Sequence, residues 1–215
     1  MPAGAPDGPQ EKQGAQQQQQ QQQAQAQAPQ RVVIVAPHEN NVLRAKHFQK
    51  TLINHLVMAA LEEGVGLADG KPLAEPQIEL ATVVKMRDKR GELERHLIGD
   101  VDGALCIIVD DLLDTGVTVT EAADLLKSMN AGKVYAFATH GRFSGDCANT
   151  IVASKSLEWV VCTDTIPFQR FVSAAAMNSG KIQQLSLAPL IAEVIHRLHA
   201  QRSMRDLLGG QKEAD

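Results

Sequence analysis

Leu105-Cys106-Ile107-Ile108-Val109-Asp110-Asp111-Leu112-Leu113-Asp114-Thr115-Gly116-Val117-Thr118-Val119-Thr120-Glu121-Ala122-Ala123 is the stretch on which the reading of the fold turns. Its first five residues are an unbroken apolar run of strand length, the pattern of a central strand in a parallel sheet covered on both faces. Asp110 and Asp111 end that run, and a helix-period segment starts near Val119. Between them, Asp114 to Thr118 supplies small and hydroxyl residues around Gly116. Backbone N–H groups of such a turn, and of the first helical residues, have no partners inside the helix. They can converge on an anion, with the Thr115 and Thr118 hydroxyls as further donors. A phosphate is the natural guest, and the neighbouring acids suit sugar hydroxyls or, through water, a divalent cation. The other reading of the same residues is plainer: Asp114 and Thr118 cap a helix, and the two acids form a polar strand exit. Either way, a ligand would sit at the carboxyl end of a strand, where open α/β sheets bind theirs.

Similar exits recur along the chain. Arg31 to Ala36 reads as a first buried strand, ended by Pro37 and the polar His38-Glu39-Asn40-Asn41, and the spacing of Val42, Ala45, Phe48, Leu52 and Leu56 predicts a helix over 41–60. A long loop is expected from Glu62 to Pro76, then a strand over 78–84 that runs out into the cationic Lys85-Met86-Arg87-Asp88-Lys89-Arg90. Bases gathered at a strand end are placed to reach over a polyphosphate; standing alone, they read as an ordinary solvated loop of alternating charge. After a helix from about 117 to 129 and a strand over 134–138, the loop from Thr139 to Asp146 carries His140 as an auxiliary contact or a structural donor. A strand at 157–162, the exit Thr163-Asp164-Thr165-Ile166-Pro167, a short strand at 182–185 and a closing helix at 187–198 complete the alternation. The pattern predicts an α/β fold, an open, mostly parallel sheet with helices on both faces.

The 215 residues suit one such domain with tails. Residues 1–30, dominated by Gln and Ala towards their end, have too little apolar area to offset the entropy of ordering, so a disordered leader is expected there, the domain over 31–200 and a flexible tail over 201–215. A formal charge of -4 argues against a nucleic-acid binder. No segment is apolar for long enough to span a bilayer, so no membrane role is expected. Three cysteines without paired motifs indicate neither a zinc site nor a disulfide framework, and Cys106 and Cys162 read as core residues in a reducing, cytoplasmic setting.

Val109 to Thr118 resembles the phosphoribosyl diphosphate signature of the phosphoribosyltransferase fold. Ile98-Gly99-Asp100-Val101, Ala122-Ala123-Asp124, Thr139-His140-Gly141 with Phe143-Ser144-Gly145, and Thr163 to Pro167 narrow the resemblance to the ribose-phosphate diphosphokinase family, over Val32 to His199 and to its carboxyl-terminal domain alone. The resemblance implies transfer of a diphosphoryl group from ATP, as cosubstrate, to the 1-hydroxyl of ribose 5-phosphate with Mg²⁺. On this chain it assigns Asp110 and Asp111 to the ribose hydroxyls, Asp114, Thr115, Gly116, Val117 and Thr118 to the 5-phosphate, and Lys85 and Arg87 to the transferring phosphates; it assigns no metal ligand.

The departures from the family are specific. His38-Glu39-Asn40-Asn41 stands where the family has an Asp, an Ala or Val and two glycines, and side chains there can block a close approach to ligand. Val117 takes a position usually glycine. No segment of this sequence resembles the family's amino-terminal domain, to which the resemblance assigns most adenine contacts, so an incomplete ATP site is expected for these residues. The resemblance therefore implies a diphosphokinase that needs a partner, as a homo-oligomer or a hetero-oligomer with a full-length homologue; its alternatives are a non-catalytic associated or regulatory subunit and a base phosphoribosyltransferase.

Overall fold

The computed structural model describes residues 31–62, 67–68, 71–72, 77–87, 90–168, 171–205 and 207. The glutamine-rich leader and the last residues of the expected tail lie outside them. β1 (Val32–Ala36) is followed by a single 3-10 turn at Glu39–Asn41 and then α1 (Val42–Glu62). A two-stranded antiparallel hairpin, β2 (Leu67–Ala68) with β3 (Lys71–Pro72), precedes β4 (Ile78–Arg87) and β5 (Leu93–Ile98). Then come β6 (Leu105–Leu113), α2 (Val117–Ser128), β7 (Val134–Gly141), α3 (Cys147–Ala153) and β8 (Trp159–Thr163). α4 (Ala174–Asn178), β9 (Ile182–Leu185) and α5 (Ala188–His199) end the described elements.

The main sheet has the order β5-β4-β1-β6-β7-β8-β9, and every neighbouring pair is parallel except β4 with β5. The chain runs outward from β1 to β4 and β5, then returns past β1 to β6 and runs outward the other way. Strand order therefore reverses between β1 and β6, and the crevice at their carboxyl ends is where such a sheet can admit a ligand. Side chains alternate across the sheet. Val35, Val83, Ile108, Ala136 and Cys162 belong to the larger core, shared with α2, α3 and α4, while Ile34, Ile78 and Val109 pack under Ala45, Phe48 and Leu52 of α1. Each such Val or Ile contributes about 1.5 to 3 kcal/mol by leaving water.

The fold class is as expected, with helices on both faces of a mostly parallel sheet. Three strand ends differ. β4 runs on to Arg87, β6 to Leu113 and β7 to Gly141, so Lys85, Arg87, Asp110, Asp111 and His140 are strand residues and not loop residues. The backbone ladder explains it: Asp110 pairs with Ala138 and Leu112 with His140, while Lys85 pairs with Arg95 on β5. Pairing costs nothing in side-chain polarity at a sheet end, so it outlasts the apolar run. β5 itself and the β2–β3 hairpin within the expected 62–76 loop are additional strands.

Candidate functional site

The turn between β6 and α2 is built around Gly116, which has φ +79°, a left-handed backbone, and ends the strand exit so that α2 begins at Val117. No side chain caps this helix, and the first backbone donor to bond back is Thr120 N–H, to Gly116 O at 3.0 Å. The N–H groups of Val117, Thr118 and Val119 therefore have no acceptor within the helix. The Thr115 side chain is exposed and that of Thr118 half-buried. Capping, the plainer of the two readings for Asp114 and Thr118, is not what these side chains do. The turn is fixed from the neighbouring exit: Arg142 and Phe143 N–H both donate to Leu113 O at 2.9 and 3.1 Å, and Ser144 N–H donates to Asp114 O at 2.8 Å. Arg142 Nε stands 3.7 Å from Asp114 Oδ1, an enclosed oxygen without a hydrogen-bond partner among the described residues.

The two acids are already engaged. Asp110, 5 % exposed, accepts on Oδ1 from Asn41 Nδ2 at 2.5 Å and from the Asp111 N–H at 2.8 Å. Arg44, in the first turn of α1, donates to Asn41 Oδ1 and places Nη2 3.1 Å from Asp111 Oδ2. A continuous polar chain, Asp111 to Arg44 to Asn41 to Asp110, thus crosses the switch point between β1 and β6. Asn41, itself 3 % exposed, comes from the segment that departs from the family's glycines. Arg44 carried no sequence signal of its own, since nothing local reports a contact with an acid so distant in the chain.

Burial pushes the Asp110 carboxyl above its ordinary value, and the neighbouring Asp111 adds to this, against the lowering effect of the Asp111 N–H and Asn41 donors. Partial burial pushes Asp111 up as well, but hydrogen bonding with Asp110 and the Arg44 charge outweigh it and hold that carboxyl low. The signs oppose. A raised carboxyl binds its proton more tightly in the fold, so the Asp110 contribution is favourable at acid pH and is lost as pH rises through the folded value. Asp111 contributes stability above its unfolded value of 3.8, lost as pH falls through the depressed one. Asp110→Asn keeps an acceptor for Asn41 and Asp111 N–H while removing a buried charge. Thermal melts should therefore show it more stable than the parent at pH 8, with the difference shrinking towards pH 3; a lower melting temperature at pH 8 would contradict the burial argument.

His140 is exposed and shares a hydrogen bond of 2.8 Å between Nδ1 and Thr165 Oγ1, while Thr163 Oγ1 donates to Thr139 O at 2.5 Å. It thus joins the β7 and β8 exits. Lys85 and Arg87 are exposed near the end of β4. Alternation from Ala81 and Val83 sets them on the α2 side of the sheet, and Arg95 of β5 ties that hairpin to Glu121 of α2. Arg87 Nη1 donates to Gly91 O at 2.8 Å, within its own hairpin. No hydrogen bond or ion pair among the described residues joins Lys85 or Arg87 to the acids or to the turn at Gly116. Among the described residues the two parts share a sheet edge with no polar bond between them.

For Mg²⁺ the donor set does not fit a protein-built site. No three His, Cys, Asp or Glu side chains converge among the described residues, and the acid best placed for a cation, Asp111, faces the Arg44 guanidinium. The thiols serve packing: burial, with a smaller push from Asp114, raises Cys147 to about 12, and burial, with a smaller push from Cys147, raises Cys162 to about 12.

Residues 30–209 match a family model described as the phosphoribosyl synthetase-associated domain. A ribose-phosphate pyrophosphokinase of Pasteurella multocida is 35 % identical over 175 residues, covering 81 % of this chain and 47 % of that protein. One from Vibrio cholerae is 40 % identical over 142 residues, 66 % of this chain and 44 % of that protein. The crystal structure of phosphoribosylpyrophosphate synthetase from Mycobacterium smegmatis superposes with a TM-score of 0.57 at 25 % identity, over 87 % of this chain and 51 % of that one. The chain spans about half the length of the curated relatives it matches. None of the helices among the described residues is long and apolar enough to cross a membrane.

Proposed function

The chain belongs to the phosphoribosyl synthetase-associated family, and from that membership we propose that it is a non-catalytic associated subunit of a ribose-phosphate diphosphokinase. In this reading residues 114–118 hold the phosphate of ribose 5-phosphate, while the chain's own Asn41 and Arg44 occupy the acids that would meet the sugar. The observation that carries it is the polar chain across the switch point, with Asn41 Nδ2 2.5 Å from Asp110 and Arg44 Nη2 3.1 Å from Asp111. A sugar reaching those acids must displace a buried hydrogen bond to a carboxylate and an ion pair. The turn at Gly116 is unencumbered by comparison, with an uncapped helix start and two hydroxyls beside it. Its partner is a full-length homologue, in a cytoplasmic setting, which supplies the adenine contacts for ATP.

A second reading, diphosphoryl transfer to ribose 5-phosphate completed by a partner chain, is supported by Lys85 and Arg87, two exposed cations at the same sheet edge. Cations there would neutralise charge developing on transferring phosphates. One assay separates the two: AMP formation from ribose 5-phosphate, ATP and Mg²⁺, with the chain alone and mixed with a complete relative at low activity. No AMP from the chain alone, and a Lys85→Ala variant that modulates the relative as well as the parent does, are the expected results. AMP from the chain alone, or Lys85-dependent turnover in the mixture, would overturn the non-catalytic reading.

The phosphate half has its own test. Thr118→Val removes a hydroxyl donor to a charged ligand without changing side-chain shape, so ribose 5-phosphate binding should weaken by about 1.5 to 3 kcal/mol. Titration calorimetry reads this directly; equal affinity in parent and variant would remove Thr118 from the site.

A further inference from the structure

The β4–β5 hairpin stands almost clear of the core. From Lys85 to Ile98 every described residue is exposed except Arg95 and Leu97. Both lie on the face that Val83 begins, because Lys85 pairs with Arg95 and Val83 with Leu97 across the antiparallel ladder, and paired residues share a face. Leu97 packs against the larger core. Arg95, nearer the tip, reaches Glu121 of α2 in an ion pair, with side chains 27 and 38 % exposed. A strand pair that buries so little apolar area opens readily unless such anchors hold it.

The anchor on α2 sits close to the phosphate turn. Glu121 is four residues past Val117, where the helix begins, and so about 6 Å along the axis from the unpartnered N–H groups. The pair thus joins the anion-binding end of α2 to the strands that carry Lys85 and Arg87. Charge points the same way. Lys85 and Arg95 are like charges directly opposite one another, an arrangement that is destabilising by itself. Glu121 offsets the Arg95 charge and, among the described residues, leaves the exposed Lys85 ammonium beside it for an anion.

We propose that Glu121 is a positioning residue: through Arg95 it holds the hairpin where Lys85 and Arg87 can meet a second anionic group on a ligand whose phosphate sits at the Gly116 turn. This rests on the sugar-phosphate reading of that turn. Two ligands tell the parts of the site apart. Ribose 5-phosphate offers a phosphate to the turn alone, whereas 5-phosphoribosyl 1-diphosphate also carries anionic charge at its far end, within the hairpin's reach. The sign of the effect separates positioning from plain charge. Removing an acid near an anion site favours every anion by simple electrostatics, but loss of a tether weakens only the ligand that uses the hairpin. That loss is bounded by what the pair contributes, because an untethered hairpin still closes once its ordering is offset by binding.

Glu121→Gln keeps the side chain's shape and removes its charge. In the full chain, hydrogen exchange of the 85–98 amides should rise about three- to fivefold, as expected for loss of a partly exposed ion pair, with the amides of β1 and β6 unchanged. Calorimetry should show 5-phosphoribosyl 1-diphosphate bound about three- to fivefold more weakly, and ribose 5-phosphate bound no more weakly than by the parent. Arg95→Lys, which keeps the ion pair, should bind both ligands as the parent does. In a background of Lys85→Ala with Arg87→Ala, Glu121→Gln should no longer affect the diphosphate ligand. Unchanged exchange in the hairpin, or equal weakening of both ligands, would overturn the proposal and leave the sugar-phosphate reading standing. A parent that binds neither ligand would overturn that reading and this inference with it.

Discussion

Asn41→Gly combined with Arg44→Ala is expected to tighten ribose 5-phosphate binding by roughly thirtyfold, about 2 kcal/mol. In the parent the ligand's hydroxyls compete with two interactions of unequal strength. The Arg44 and Asp111 side chains are 41 and 50 % exposed; an ion pair in such a setting contributes at most about 1 kcal/mol. The Asn41 hydrogen bond is buried and made to a carboxylate, a class worth about 1.5 to 3 kcal/mol. Water rehydrates the freed acids and returns part of that sum, which is why the expected gain lies near the low end. Removing Asn41 also withdraws a donor that lowers the Asp110 carboxyl, so that group rises further. Calorimetry should therefore be run at pH 8, where the carboxylate form is present to accept sugar hydroxyls. Fold stability should fall at the same time by about 1 to 3 kcal/mol, since Asp110 loses a partner inside the protein. A variant that melts lower and binds more tightly supports the clamp. One that melts lower and binds no better would show that Asn41 and Arg44 are structural supports and not competitors for the sugar.

The central sheet was legible because Val32 to Val35 and Leu105 to Val109 are apolar on both faces, a signal that only burial explains. The ends of β4, β6 and β7 were not, for one shared reason. Hydrophobic pattern reports where side chains leave water, whereas a strand continues as long as its backbone finds a partner, and Lys85, Asp111 and His140 sit where pairing outlasts burial. β5 shows the same limit from the other side: Leu93, Arg95 and Leu97 share one face, but the strand is largely exposed and, among the described residues, pairs with β4 alone. At the candidate site, Gly116 and the two threonines could be read from local sequence because a turn into a helix is a local object. Asn41 was visible only as a side chain where the family has glycine. Its union with Asp110 and Arg44 is a contact across the switch point, and such contacts are set by strand order, which no local pattern encodes.

Gly116→Ala should cost about 2 to 4 kcal/mol of stability, adding roughly 1 to 2 for a left-handed alanine to 1 to 3 for overpacking, scaled down for partial relaxation. At 2 to 4 °C per kcal/mol for a domain of this size, the melting temperature should drop by about 5 to 15 °C. The overpacking has an identified source. A Cβ on Gly116 would stand 2.9 Å from Cys147 Sγ. Cys147 is buried at the start of α3 and cannot swing its short side chain into solvent. Relief must come from moving α3 away from the turn, which displaces the N–H groups of Val117 and Thr118, so phosphate affinity should fall together with stability. Gly145→Ala separates the two costs, because Gly145 has φ +60° with nothing within 4 Å of its added Cβ; it should lose only the backbone part, about 1 to 2 kcal/mol. Cys147→Ala in the Gly116→Ala background removes the sulfur and should recover the steric part, giving a favourable coupling of about 1 kcal/mol or more in a double-mutant cycle. Additive losses in that cycle would mean the turn tolerates the contact, and that φ at Gly116 alone holds the donors in place.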